Sequence, residues 1–182
     1  MGDVAGGPER IDRLTRWLML GLPLAFLAHD LGEVRGSREL DDDLVELTSR
    51  VPGVRRMTTA VRTSPRQMAV AVGVLTSLLT AVSARAVARP PRTRATGDYA
   101  AVTAVVGGHL ASHVAQSLIL RRPAPGLRGG LAVTVPYSAL VLARLHRRGY
   151  LPEGALTRDL ARAGAALPPL LIAVRLLGRR LG

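Results

Sequence analysis

"LPLAFLAHDLGEV", Leu22 to Val34, decides how this chain is read. It runs apolar for seven residues and then turns ionisable at His29, Asp30 and Glu33. Taken with the apolar run that starts at Trp17, it has the make-up of a membrane-spanning helix, which needs about 20 mostly apolar residues. An ionised side chain at the centre of such a helix costs roughly 2.5–3.5 kcal/mol on insertion scales, so these groups face a bundle interior or water. Three of them in one span point to an interior polar site. For Glu33, near the end of its span, snorkelling is the competing explanation.

Working outward, four stretches meet the length requirement, at 16–35, 67–89, 99–120 and 127–146. A fifth, 159–178, is shorter in its uninterrupted apolar part, Ala163 to Val174, and carries Pro168-Pro169. It reads as a kinked span flanked by Arg162 and Arg175, with a re-entrant or interfacial helix as the alternative. "RPPRTRATGD" (Arg89 to Asp98), "RRPAPGLRGG" (Arg121 to Gly130) and "HRRGYLPEG" (His146 to Gly154) supply the breaks between spans. The segment 37–65 differs. Ser37 followed by acids suits a helix N-terminus, and Leu40, Leu44, Leu47 and Val51 recur at helical spacing. Pro52-Gly53 ends that pattern, and Val54, Met57 and Val61 follow on one side, giving an amphipathic pair on the membrane surface. The expectation is an all-α integral membrane bundle of four to five transmembrane helices, forming a single domain with an interfacial amphipathic segment after the first span.

Composition agrees. Of 182 residues 48% are hydrophobic and only 3% aromatic, with a formal net charge of +12. All 25 basic residues are arginine. They cluster between apolar blocks, as at Arg55-Arg56, Arg121-Arg122, Arg147-Arg148 and Arg179-Arg180. Arginines that cap apolar spans snorkel to headgroups, and base stacking lacks the aromatics it needs, so nucleic acid is excluded as a partner. No cysteine is present, which removes disulfides, thiolate chemistry and cysteine-based zinc sites. The polar start, MGDVAGGPERIDRLTR, has no signal-peptide layout and is expected to stay in the mature protein. The expected location is a bacterial-type plasma membrane, with short-loop charge favouring a cytoplasmic N-terminus.

His29 and Glu33 are i and i+4 and share a helix face, with Asp30 at its edge. In the third span, His109, His113 and Gln116 form a second stripe at i, i+4 and i+7, flanked by Ser112 and Ser117. Gly107 and Gly108 permit close approach of a neighbouring helix there. Two spans that each carry a polar i/i+4 pair can build one shared pocket. Thr134, Tyr137 and Ser138 surround Pro136, where hydroxyls can satisfy backbone groups freed by the proline. Tyr137 is also a candidate pocket residue, as is Trp17 at the start of the first apolar run. No phosphate loop, nucleophile elbow or HExxH motif is present.

"HDLGE" (His29 to Glu33) resembles the motif that names the HXXEE-domain membrane proteins, and "HVAQSLILRRPAPG" (His113 to Gly126) resembles that family's second signature. The resemblance runs from about residue 16 to 150 and includes a proline in the next span, here Pro136. It implies that His29 is the motif histidine and Glu33 the second glutamate. Gly32 stands where the first glutamate should be, with Asp30 as the available substitute. His113, Gln116, Pro125 and Gly126 match the second block, and Pro123 replaces its aromatic. A small multi-span bundle is what the resemblance implies; it carries no established reaction.

Three functions fit these residues. The first is an intramembrane isomerase or cyclase acting without a cofactor on an isoprenoid- or sterol-like lipophile. Glu33 or Asp30 would donate the proton, His29 would relay it, His113 would position substrate or accept a proton, and Gln116, His109, Tyr137 and Trp17 would line the substrate. The second is a zinc or iron site of His29, Glu33, His109 and His113, serving a hydrolase or oxidase. The third is a non-enzymatic lipid-binding, transport or scaffold protein.

Overall fold

A computed structural model of the chain describes residues 10–48 and 64–181. These fold into helices joined by short turns, with no strand among the described residues. In chain order the helices are α1 (Arg13–Leu20), α2 (Leu22–Thr48), α3 (Pro65–Val87), α4 (Arg94–Gly108) and α5 (Leu110–Leu120). A short turn, α6 (Leu127–Gly129), and a widened π-type turn (Gly130–Thr134) lead into α7 (Val135–Arg147), and α8 spans Ala155–Leu181.

α1 starts where Asp12 caps it, its carboxylate accepting from the Thr15 amide at 3.0 Å. Ser64 and Gln67 form a reciprocal capping box at the start of α3, with Pro65 in the first turn where its missing N–H costs nothing. Inward-facing residues then follow helical spacing. Along α1 and α2 the buried stripe is Met19, Leu22, Ala25, Phe26, His29 and Asp30. The two ionisable residues therefore lie inside because they continue the apolar face, not in spite of it.

α4 is the central helix, packed by α3, α7 and α8. Its buried residues are mostly small, among them Ala95, Thr96, Gly97, Ala100, Ala101 and Thr103, so neighbouring backbones approach closely. Tyr99 fills the remaining space and is wholly buried. At its far end Gly107 meets α7: a Cβ there would lie 2.8 Å from that of Ser138. Gly108 has open space beside it, so only the first glycine of the pair serves the close approach.

Among the described residues, two helical stretches are long and apolar enough to cross a membrane, Arg13–Arg35 and Pro65–Val87. The third and fourth stretches read as spans are divided. α4 and α5 meet at a break at His109, and the fourth passes through the π-type turn before α7. The fifth is a single helix, Ala155–Leu181, that continues through Pro168-Pro169. One expectation differs clearly from the structure. α2 does not end before Ser37 but continues through Gly36 to Thr48, so the first half of the anticipated interfacial segment extends the first helix. The second half, with Val54, Met57 and Val61, lies outside the described residues.

Candidate metal centre

His29 and Glu33 project one helical turn apart from α2. His113 comes from the middle of α5 and His109 from the break that precedes it. The four side chains meet. Glu33 Oε1 lies 3.1 Å from His29 Nε2, 2.7 Å from His113 Nε2 and 3.5 Å from His109 Nε2. His29 and His113 are buried, Glu33 is nearly so, and His109 has a side chain 48% exposed at the outer side of the group.

The three imidazoles stand nearly perpendicular to one another, with interplanar angles of 77–88° and centroids 4.8–5.9 Å apart. Perpendicular rings direct their nitrogens towards a common point instead of stacking. One potential ligand atom from each of the four residues falls in a set whose members all lie within 4.8 Å of one another.

Glu33 Oε1 and His113 Nε2 are 2.7 Å apart, yet neither has a hydrogen-bond partner among the described residues. The buried Nδ1 atoms of His29 and His113 are likewise unpartnered. Buried polar atoms left in that state cost about 1–3 kcal/mol each. Four nitrogen and oxygen ligands placed tetrahedrally around a divalent ion with bonds of about 2.0–2.2 Å would sit about 3.3–3.6 Å from one another. The donor set, three imidazoles and a carboxylate, is one that zinc or iron accepts by chemistry.

The turn after α5 closes the site. Ser117 Oγ donates to the His113 carbonyl at 2.6 Å and accepts from the Ala124 amide at 2.8 Å, pinning the turn to the helix that carries the histidine. Gly126 then sits at φ +83, where a Cβ would lie 2.9 Å from Glu33 Cγ and 3.0 Å from His29 Cε1. Gly129 and Gly130 continue the contact. A Cβ on Gly129 would meet the His29 backbone at 3.2 Å, and one on Gly130 would lie 2.6 Å from Leu110 Cδ1. These glycines form the wall against the imidazole of His29. All three glycines were legible only as part of the break Arg121 to Gly130, not as neighbours of His29.

The remaining candidates lie elsewhere or at the edge. Asp30 is buried, its Oδ1 3.9 Å from His29 Nε2 and without a hydrogen-bond partner. Gln116 is one turn beyond His113, with a buried and unpartnered Oε1, and belongs to no contact recorded with the four-residue group. Tyr137 is not turned to the site: its hydroxyl donates to the Leu18 carbonyl at the α1–α2 junction, beside Gly21. Trp17 is 63% exposed on the outside of α1.

A second polar cluster, not anticipated from sequence, ties the chain at the opposite end. Arg144 Nη2 donates to Asp12 Oδ1 at 3.0 Å and Arg144 Nε to Thr15 Oγ1 at 2.7 Å. Tyr150 Oη donates to Asp12 Oδ2 at 3.1 Å, and Thr15 Oγ1 donates to the same oxygen at 2.6 Å. Burial acts to raise the Asp12 carboxyl, but the bonds from Thr15, Arg144 and Tyr150 together outweigh it and hold the group below the usual carboxylate range.

Fold and site together define a helical bundle with a carboxylate-and-imidazole cluster between two of its helices. Residues 20–141 match the family described as "Protein of unknown function with HXXEE motif", and the chain belongs to that family. No curated protein and no solved structure gives a match.

Proposed function

We propose that this protein is a membrane-embedded metalloenzyme in which His29, Glu33, His109 and His113 hold a zinc or iron ion for hydrolysis or oxidation of a lipophilic substrate. One observation carries this reading: three imidazoles gather on one carboxylate, and one potential ligand atom from each of the four residues lies within 4.8 Å of the others. Bound there, the ion would supply Lewis acidity or redox chemistry. Glu33 contributes the negative charge. His29 and His113 are fixed by burial, and the half-exposed His109 marks the side from which substrate reaches the group.

The membrane assignment rests on the two long apolar helices and on what the outer surface presents. Leu24, Leu118, Ile119 and Ile172 point outward, while His29, Asp30 and His113 are buried. A bundle with apolar residues outside and ionisable ones inside is arranged for lipid. The remaining helices would then complete four or five crossings, two of them broken where they pass the site, which is where non-ideal helix is tolerated inside a membrane. Arginines lie at both ends of the bundle, among them Arg13, Arg147 and Arg148 at the start of the first helix and Arg35, Arg121 and Arg122 at its far end, and short-loop charge alone favours a cytoplasmic N-terminus.

A second reading, proton transfer in an isoprenoid or sterol-like substrate, is favoured by Asp30. It is buried, adjacent to His29 and outside the four-atom set, so it is free to move a proton at Oδ1. Metal analysis of the purified chain separates the two. The metalloenzyme reading expects about one zinc or iron per chain, lost in His113→Ala, with in vivo function lost on chelation. Substoichiometric metal with function surviving chelators would overturn it in favour of proton transfer. Full in vivo function in both His29→Ala and Glu33→Ala would remove both site readings and leave a lipid-binding, transport or scaffold role.

A further inference from the structure

Far from the histidines, α3, α4 and α8 enclose a slot of about 250 Å³ at the end of the bundle where α4 and α8 begin. Its rim is charged. Arg85 Nη1 lies 3.5 Å and Arg94 Nε 3.8 Å from Asp98 Oδ2, while Arg162 Nη1 lies 3.1 Å from Asp159 Oδ1. Three guanidinium groups thus face two carboxylates, leaving one positive charge in excess. All three arginine side chains are more than half exposed, so their donors remain available, whereas Asp159 is buried beneath them.

The floor is different. Val82, Ala101, Val102 and Ala166 line it, and the small side chains on α4 and α8 are what leave the space. Arg94 and Ala95 come from the first turn of α4, which has no side-chain cap and so carries the partial positive charge of a helix N-terminus. A basic rim above an apolar floor, at the level where helices leave the bilayer, matches an amphiphile with one negative charge.

We propose that this slot binds the phosphodiester headgroup of an anionic phospholipid, with Arg85, Arg94 and Arg162 on the phosphate and the start of an acyl chain over the alanine-lined floor. A phosphodiester carries one negative charge and so neutralises the excess. A free phosphate ester would satisfy the rim but leave the floor uncovered. The inference rests on the membrane reading of the bundle and is independent of the metal centre. It also agrees with a cytoplasmic N-terminus, since the slot lies at the end where the first helix begins, facing a leaflet whose anionic lipids give a negative surface potential.

The test is native mass spectrometry of the full chain in detergent, with added dioleoyl phosphatidylglycerol or dioleoyl phosphatidylcholine, and glycerol 3-phosphate as the soluble competitor. The expected result is preferential retention of phosphatidylglycerol, with the preference falling about tenfold in the double variant Arg94→Gln with Arg162→Gln. Ala163→Leu, which fills the slot without removing charge, is expected to reduce retention of that lipid as well. Arg148→Gln, a basic residue outside the slot, should leave the preference unchanged. Helicity by circular dichroism and the melting temperature in detergent report whether each variant is folded. Equal retention of both lipids would overturn the proposal, as would displacement by glycerol 3-phosphate or an equal loss in Arg148→Gln. Release of the chain from membranes by alkaline carbonate would instead refute the membrane reading on which it rests.

Discussion

The two polar clusters of this molecule look alike in composition and differ in how their atoms are paired. At one end Asp12, Thr15, Arg144 and Tyr150 form a closed set of hydrogen bonds between 2.6 and 3.1 Å, each donor aimed at an acceptor. At the other end, His29, Glu33, His109 and His113 crowd together at comparable distances, yet Glu33 Oε1 and His113 Nε2 have no aligned partner. A satisfied network fixes structure. The second gathers three imidazoles on one carboxylate and leaves the buried Nδ1 atoms of His29 and His113 without partners, which is costly. The first cluster joins the start of α1 to the end of α7, and the second is proposed to join the protein to a metal.

The largest expected effect breaks the second cluster alone. His113→Ala should lower metal affinity by more than about 100-fold, since even outer partners of metal ligands are worth about 10–100-fold. Metal retained after gel filtration measures this, and the melting temperature of the metal-free form should change much less. The converse variant, Arg144→Met, removes two donors from the first cluster. It should cost about 1–3 kcal/mol of stability, read as a lower melting temperature in detergent, while metal content stays at the wild-type level.

Gly126→Ala sharpens the comparison by disturbing the site without removing a donor. Its positive φ strains any Cβ by about 1–2 kcal/mol, and the new carbon would press on Glu33 Cγ and His29 Cε1. Metal affinity should fall measurably in isothermal titration but remain above that of His113→Ala.

A smaller, pH-dependent effect belongs to Asp12. Because its folded-state pKa lies below the ordinary value of 3.8, its contribution to stability is present above that value and lost as pH falls towards the lower, folded one. The difference in melting temperature between wild type and Asp12→Asn should therefore be flat near neutrality and shrink below about pH 4. Smallest of all, Trp17→Ala should leave metal content untouched and alter stability only slightly, as befits a side chain 63% exposed on the outside of α1.

Much of the site was legible because helix periodicity is local. Residues four apart on a helix share a face, so His29 with Glu33 and His109 with His113 were readable as two pairs, and the fold brings those pairs together. The same rule extended the stripe to Gln116, which the structure places a turn further along with no recorded contact to the group. Tyr137 looked equally available, but its hydroxyl braces the α1–α2 junction through Leu18, a contact between residues distant in sequence.

What stayed illegible depends on distant packing. Asp12 and Arg144 have no sequence relation that announces their pairing. Gly129 and Gly130 matter only because His29 lies against them. The anticipated break before Ser37 fails for a local reason: cap-like residues do not start a new helix when the preceding one continues through Gly36 unopposed. The end of the amphipathic segment lies outside the described residues.

The central claim is that four side chains converge on a metal. An anomalous-difference map of crystals of the full chain, collected at the absorption edge of the metal found in solution, tests it most directly. The account predicts one peak within about 2.0–2.2 Å of Glu33 and of imidazole nitrogens of His29, His109 and His113. A map with no peak there, and Glu33 instead engaged in aligned hydrogen bonds with the histidines, would contradict it.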